Sequence, residues 1–176
     1  MGDPRCLEDF LAWGIKQYPA RRYAVVVWNH GNGWYPDDAA HGAQENVGPF
    51  EPMRAIASDE SSGRSIATTD LGSVLARTAR SLGRPIDVVG FDACLMGMAE
   101  VWYQLRDVAL VGVGSEKTAP GDGWAYDEWL PLLEARPDCG AEDLGRMIVE
   151  TYAASYNKGS QGTANVTQSA VRLSGS

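Results

Sequence analysis

A histidine and a cysteine each follow an apolar stretch that predicts a β-strand. His30 comes after residues 23–28, and Cys94 comes after residues 86–91. A thiol has an ordinary pKa of about 8.5, so only a few per cent is the nucleophilic thiolate at neutral pH unless a base activates it. An imidazole is such a base. The two residues therefore predict a nucleophile, Cys94, with His30 as its general base and acid.

Gly31 directly follows the histidine. A glycine lets a substrate carbonyl come close to the backbone and leaves the N–H free to donate to a developing oxyanion. We expect the Gly31 N–H to act in this way, with the Cys94 N–H as the second donor.

Two acidic residues accompany the predicted nucleophile. Asp92 precedes Cys94 by two positions, and Asp122 lies in the turn Pro120-Gly-Asp-Gly-Trp124. Carboxylates near the nucleophile would pair with the cation of a substrate Arg or Lys. Two alternatives stay open, because Asp92 could have a capping or turn role for the following helix and Asp122 could be an ordinary turn aspartate.

Simpler interpretations exist for the cysteine and the histidine. Cys94 could be an inert core thiol, and His30 could be a hydrogen-bonded structural residue. Their joint position at successive strand ends favours the functional interpretation, and Cys6 and Cys139 have no such setting. Three widely spaced cysteines form no disulfide framework, and the chain has no CxxC or HxxxH pair, so we predict no zinc site.

Composition narrows the classes of function. Hydrophobic residues make up 44% of the 176 residues and six are Trp, which is typical of a folded domain. The formal charge of −8 argues against nucleic acid as a partner. No apolar run approaches the roughly 18 residues that a membrane span needs, and no signal-peptide pattern follows Met1.

Predicted helices and strands alternate along the chain. Apolar spacing predicts helices near residues 7–15, 69–82, 95–105, 127–134 and 144–152, and strands near residues 23–28, 86–91, 108–113 and 167–173. The continuous apolar run 25–28 is typical of a strand covered on both faces. Residues 31–67 are predicted to be mainly a long loop, 115–126 a second loop, and 159–163 a flexible link.

This alternation predicts one α/β domain, residues 1–176, with a mostly parallel sheet and helices on both faces. Ligands of such sheets bind beyond the carboxyl ends of the strands. The residues to inspect there are His30, Asp92, Cys94 and the segment Gly114-Ser115-Glu116.

The chain resembles the clostripain-like cysteine peptidases, family C11 of the caspase–haemoglobinase superfamily. The likeness covers most of the chain and is most specific where a strand precedes His-Gly and another precedes Asp-Ala-Cys-Leu-Met. It rests on the following segments: Leu7-Glu-Asp-Phe10, Tyr23-Ala-Val-Val-Val-Trp-Asn-His-Gly31, Ile56-Ala-Ser-Asp-Glu-Ser-Ser-Gly63, Gly90-Phe-Asp-Ala-Cys-Leu-Met96, Pro120-Gly-Asp-Gly-Trp124 and Gln168-Ser-Ala-Val171.

The resemblance implies a caspase-like three-layer sandwich in which His30 and Cys94 form the catalytic dyad. It implies that Asp92 and Asp122 form the acidic S1 pocket, so that cleavage follows Arg or Lys, and that Ser115 and Glu116 line the substrate cleft. The family pattern has a further strand ahead of the first helix and more chain after residue 173. We therefore expect a fragment or shortened form that lacks its first strand.

Family members are often zymogens cut between the histidine and the cysteine, which points to Arg54 or Arg64 as sites of self-cleavage. The resemblance also implies a bacterial protein, secreted or held at the cell envelope. No cofactor is expected to be required. Calcium is a further expectation for some members, with Asp37-Asp38 and Asp59-Glu60 as oxygen ligands, although they lack EF-hand spacing.

The sequence thus predicts a cysteine endopeptidase with peptide or protein substrates. Two alternatives remain: a catalytically silent caspase-like module that binds basic peptides, and a structural α/β domain in which the cysteine and histidine belong to the core. Binding of short basic peptides without turnover would favour the silent module. A Cys94 thiol that does not react with a small alkylating reagent in the native state would favour the structural domain.

Overall fold

The computed structural model of the chain describes residues 2–34, 55–59 and 61–173. Its helices and strands follow in the order α1 (Pro4–Gln17), β1 (Ala24–Trp28), β2 (Ala55–Asp59), β3 (Arg64–Ala67), α2 (Thr68–Leu82), β4 (Ile86–Asp92), α3 (Ala99–Leu105), β5 (Ala109–Gly114), α4 (Tyr126–Ala135), α5 (Ala141–Ser155), β6 (Asn157–Gly159), β7 (Gly162–Thr163) and β8 (Ser169–Arg172). The predicted α/β alternation is confirmed.

The central sheet has the strand order β1-β4-β5-β8. Strands β1, β4 and β5 are parallel, whereas β8 pairs antiparallel with β5. The sheet is therefore mostly parallel, as predicted, and its last strand runs in the opposite direction.

Helices cover both faces of the sheet and form two separate cores. On one face, α1, α2 and α3 pack through residues such as Leu11, Leu75 and Trp102 against Val89 and Phe91 of β4. On the other face, α4 and α5 pack through residues such as Trp129, Met147 and Tyr152 against Val88, Val111 and Val113. Alternate residues of a strand point to opposite faces, which is why β4 serves both cores.

Strand β4 is buried along its whole length, because it lies between β1 and β5 and under helices on both sides. The prediction that residues 25–28 would be covered on both faces holds for Val25 and Val27, which pack into one core, and for Val26, which packs into the other, and it is wrong at Trp28. Trp28 is 65% exposed, and only β4 pairs with β1 among the described residues. The apolar run 25–28 of β1 therefore packs on both faces up to Val27 and is exposed only at its last residue.

Three predicted boundaries need correction. The long loop contains an antiparallel hairpin, β2–β3, which a composition rich in Gly, Asp and Ser concealed. The link at residues 159–163 lies in a second small hairpin, β6–β7. Residues 95–98 form a turn, so α3 begins only at Ala99. In contrast, α2 ends at Gly83 as predicted, with φ of 69° in the left-handed region.

Candidate active site

The register of two strands brings the histidine and cysteine segments to one edge of the sheet. Strand β1 pairs in parallel with β4 so that Trp28 lies opposite Asp92. Beyond that pair, the Asn29 N–H donates to the Asp92 carbonyl oxygen over 3.4 Å. His30 and Cys94 each follow the Trp28–Asp92 pair by two residues, so they leave the sheet side by side.

The two loops that follow these strands are in direct contact. A Cβ atom added to Gly31 would lie 2.5 Å from the Cys94 carbonyl oxygen and 2.8 Å from Met96 Cγ. No side chain fits in that space. We predicted Gly31 from the needs of a substrate, and the structure adds a second reason, which is the close packing of its backbone on the cysteine loop.

The backbone beside both predicted catalytic residues adopts rare conformations. Asn29 has φ of 148° and Leu95 has φ of 62°, although neither is glycine. Such strain persists only where surrounding contacts enforce it. Here the His30 N–H donates to Asn29 Oδ1 over 2.6 Å, and the His30 carbonyl accepts from the Ala57 N–H of β2 over 3.2 Å. His30 itself is exposed.

The Cys94 thiol is half-buried at this edge of the sheet. Its Sγ accepts a hydrogen bond from the Ala119 N–H over 3.2 Å and donates to the Ala119 carbonyl over 3.8 Å. The interpretation of Cys94 as a fully buried, inert core thiol does not fit this position. A backbone N–H directed at the sulfur stabilises negative charge there.

The loop after β5 supports the cysteine loop from the other side. The Leu95 N–H donates to the Lys117 carbonyl over 3.0 Å, and the Gly97 N–H donates to the Ser115 carbonyl over 2.8 Å. The Ser115 side chain is only 1% exposed and its Oγ bonds Thr167 Oγ1 and the Lys117 N–H. Ser115 therefore stabilises the loop from within, and the neighbouring Glu116 is exposed.

Two backbone donors at this site have no acceptor in the described part of the chain. In residues 2–34, 55–59 and 61–173, the N–H groups of Gly31 and Cys94 donate to no described acceptor, whereas those of Leu95, Gly97 and Ala119 all do. Free donors beside a nucleophile are what an oxyanion site requires.

Asp92 is buried, with only 3% of its surface exposed. Its Oδ2 accepts hydrogen bonds from the Trp124 N–H and the Tyr126 hydroxyl, each over 3.0 Å. Burial raises the pKa of the Asp92 carboxyl, and these two hydrogen bonds partly oppose that rise. The alternative that Asp92 caps the next helix is wrong, because α3 begins at Ala99 without a side-chain cap.

Asp122 is exposed in the turn that borders Asp92. The next residue, Gly123, has φ of 64°, and a Cβ atom added there would lie 2.6 Å from Asp92 Oδ2. The Tyr156 hydroxyl donates to the Gly123 carbonyl over 3.0 Å, and Gln161 Nε2 donates to the Asp122 carbonyl over 3.1 Å. The turn is thus fixed from α5 and the second hairpin while the Asp122 side chain stays accessible.

Sequence reasoning missed two partners of the predicted site residues. Tyr126 follows the Asp122 turn, but its aromatic side chain at the start of a helix gave no reason to separate it from the core. Every residue except proline has a backbone N–H, so no sequence pattern could have indicated that the Ala119 N–H donates to the Cys94 thiol. Both contacts join segments that are distant in the chain.

The described residues contain no group of three or more His, Cys, Asp or Glu side chains placed to hold a metal ion. Asp59 accepts hydrogen bonds from Ser61 and Ser62, which lower the pKa of its carboxyl. Asp37, Asp38 and Glu60 lie outside the described residues, so the calcium expectation stays a prediction. Within the described ranges, no helix has the length and hydropathy that crossing a bilayer requires.

Comparisons with known proteins agree with the fold and show the family to which the chain belongs. The model of the clostripain family of C11 peptidases matches residues 1–174. Clostripain of Hathewaya histolytica is 31% identical, over 81% of this chain and 26% of that protein.

Two solved proteins share the fold. A secreted C11 cysteine protease from Bacteroides thetaiotaomicron, in complex with an irreversible peptide inhibitor, superposes with a TM-score of 0.70 and 26% identity, over 98% of this chain and 45% of that one. An inactive zymogen C11 protease from Parabacteroides distasonis superposes with a TM-score of 0.68 at 23% identity, over 98% and 40% of the two chains. The chain spans less than half the length of these relatives, and it belongs to the clostripain family of cysteine peptidases.

Proposed function

We propose that this domain carries the catalytic centre of a cysteine endopeptidase that cleaves peptide bonds after Arg or Lys. The observation that carries the proposal is the parallel pairing of β1 with β4, which brings His30 and Cys94 to one edge of the sheet. Family membership supports the same reaction. No cofactor enters the proposed chemistry.

In the proposed reaction, Cys94 Sγ attacks the scissile carbonyl carbon and its proton passes to His30. The N–H groups of Gly31 and Cys94, which have no acceptor among the described residues, donate to the oxyanion that forms. His30 then gives the proton to the leaving amine, and an acyl-enzyme thioester remains. Water, deprotonated by His30, hydrolyses the thioester and restores the thiol.

Basic specificity is proposed from the two carboxylates beside the nucleophile. Asp92 is buried, and none of the described Lys or Arg side chains pairs with it. A buried carboxylate is costly to ionise without a cation, and a substrate Arg or Lys supplies one. Asp122, exposed in the adjacent turn, adds a second negative charge at the same place.

The test combines covalent labelling with turnover. A peptide acyloxymethyl ketone ending in Lys should label the wild type, and Cys94→Ala should lose labelling and hydrolysis of Lys or Arg peptides by at least about a thousandfold. Cys139→Ala, which changes another half-buried thiol, should keep both activities. Equal labelling of wild type and Cys94→Ala would refute the proposal, and binding of basic peptides without turnover would support the silent binding module instead.

Activation by self-cleavage is part of the proposal only at Arg54, which lies outside the described residues. Arg64 lies in β3, where pairing with β2 and contact of its carbonyl with Gly2 hold the backbone. A peptidase needs its substrate strand free, so Arg64 is a poor site unless the hairpin opens. Mass spectrometry of Arg54→Ala and Arg64→Ala, beside Cys94→Ala, tests this: only Arg54→Ala and Cys94→Ala should stay at one length.

We also propose export from a bacterial cell, because the Bacteroides thetaiotaomicron protein is described as secreted. Fractionation of the source bacterium, followed by detection of the chain, should find it outside the cytoplasm. The calcium prediction is tested by comparing peptide turnover with added Ca²⁺ and with a chelator.

A further inference from the structure

We propose that Tyr126 is a specificity-determining positioning residue, whose hydroxyl holds the buried Asp92 carboxylate so that its second oxygen receives the substrate cation. The inference rests on the proposed function, because it names the residue that prepares the acidic site for Arg or Lys. It extends that function from the charged residues to the neutral group that orients one of them.

The first step is the geometry at the carboxylate. Among the described residues, the hydrogen bonds to Asp92 side-chain oxygens both end on Oδ2, from the Trp124 N–H and from Tyr126. Gly123 lies against the same carboxylate and leaves no space for a side chain there. With Oδ2 occupied by two donors, Oδ1 is the oxygen that remains for an incoming ammonium or guanidinium group.

The second step is the rigidity of Tyr126. Its ring lies between two tryptophans, with centroid distances of 6.3 Å to Trp124 and 5.7 Å to Trp129. Its backbone N–H donates to the Trp124 carbonyl over 2.9 Å. A half-buried ring held in this way keeps its hydroxyl on Asp92 before any substrate binds. The side chain therefore loses little conformational entropy when the substrate cation arrives.

The third step is the protonation of Asp92. Burial raises the pKa of this carboxyl, whereas the hydrogen bond from Tyr126 lowers it. Only the ionised carboxylate attracts a cation, so cation recognition should weaken as the pH falls through the raised pKa. Removal of the hydroxyl takes away one group that favours ionisation, and the weakening should then begin at a higher pH.

Other titratable groups lie near the Asp92 carboxyl, and their effects on the pH dependence must be distinguished from that of Asp92. They are Tyr126 from α4, Tyr152 from α5, Tyr156 just after α5, Asp122 in the adjoining turn and Cys94 on the same loop. Burial raises the pKa of all three tyrosines, so they stay neutral over the range of interest. The protonation states of Cys94 and His30 affect the labelling rates of two probes equally when the probes differ only in the side chain at the cleaved position.

The experiment therefore measures a ratio of two labelling rates on the full chain. One acyloxymethyl ketone peptide ends in Lys, and the matched peptide ends in norleucine, which keeps the aliphatic chain and lacks the ammonium group. The Lys-to-norleucine ratio, measured from acidic to neutral pH, reports cation recognition because the thiol chemistry cancels. Tyr126→Phe should lower the neutral-pH ratio by about twofold to tenfold and move its acidic decline to higher pH.

Tyr156→Phe is the matched control. It removes a hydroxyl that holds the same turn through the Gly123 carbonyl but does not touch Asp92. Its Lys-to-norleucine ratio should decline at the wild-type pH, and thermal unfolding should show that both variants are folded. The same displacement in Tyr156→Phe, or none in Tyr126→Phe, would overturn the inference alone. A wild-type ratio near one at every pH would overturn the proposed basic specificity and this inference with it.

Discussion

The two ends of strand β4 each carry a buried aspartate, and their surroundings differ. At the amino end, Asp87 is 8% exposed and accepts hydrogen bonds from Arg84 over 2.7 Å and from the Tyr23 N–H over 2.9 Å. At the carboxyl end, Asp92 is 3% exposed and accepts only neutral donors among the described residues. Asp87 has a cation from its own chain, whereas Asp92 has none within residues 2–34, 55–59 and 61–173.

The difference fits a structural role for Asp87 and the proposed ligand-binding role for Asp92. The Arg84–Asp87 pair ties the start of β4 to the segment that precedes it, and the bond to Tyr23 adds the start of β1. In the part of the chain that the structure describes, no Lys or Arg side chain neutralises Asp92 in this way, although burial makes its charge more costly. Buried carboxylates without a cation occur often at functional sites, so this difference supports the proposal that the chemistry lies at the carboxyl ends of the strands.

Among the substitutions that compare the two ends of β4, Asp92→Asn is expected to have the largest effect. Asparagine keeps the shape and an acceptor for Trp124 and Tyr126 but removes the charge. The Lys-to-norleucine labelling ratio should fall by about tenfold to a hundredfold, which is the range for a lost charge-assisted hydrogen bond. Asp87→Asn is the matched control and should leave the ratio unchanged, so a fall of equal size in both variants would contradict the comparison.

A smaller effect, on stability, is expected from Asp87→Asn. The change leaves the Arg84 guanidinium without its carboxylate, and the free energy of unfolding should drop by about 1–2 kcal/mol. Denaturant titration measures it. Asp107→Asn serves as the control, since its partner Arg106 and its own carboxylate are largely exposed and its loss should change little. An equally large drop in that variant would show that burial is irrelevant at Asp87.

The smallest expected effect is a pH dependence of stability that belongs to Asp92. Its pKa in the folded chain lies above the ordinary value of 3.8. Below that value the carboxyl is protonated in both the folded and the unfolded chain, so the cost of its burial does not depend on pH and lowers the stability no further. As the pH rises, the unfolded chain ionises first, so the folded wild type loses stability relative to Asp92→Asn until its own carboxyl ionises.

Thermal unfolding of wild type and Asp92→Asn from pH 3 to 8 measures this difference. The variant should gain on the wild type as the pH increases and then reach a plateau. A gap that narrows with rising pH would mean that Asp92 is stabilised by an interaction the structure does not contain.

The sequence predicted the strands that carry the site better than it predicted the contacts within the site. The apolar runs before His30 and Cys94 placed β1 and β4 within one or two residues of their actual bounds. The hairpin β2–β3 was missed because its strands are short, with one large apolar residue each, Ile56 and Ile66, in a segment rich in Gly, Asp and Ser. Its position depends on long-range contacts such as that between the Ala57 N–H and the His30 carbonyl. Local composition carries no record of such contacts.

What the sequence determined by itself is which residues leave the carboxyl ends of the strands, because periodicity and apolar runs fix where a strand stops. That places His30, Asp92 and Cys94 at strand ends before any coordinates exist. Only the tertiary structure decided that Asp92 is buried with no cation among the described residues and that Tyr126 and Trp124 hold it. It also decided that Ser115 points into its own loop and that Ala119 contacts the thiol. These facts depend on segments distant in the chain, and burial and hydrogen bonding between such segments are settled only when the chain packs.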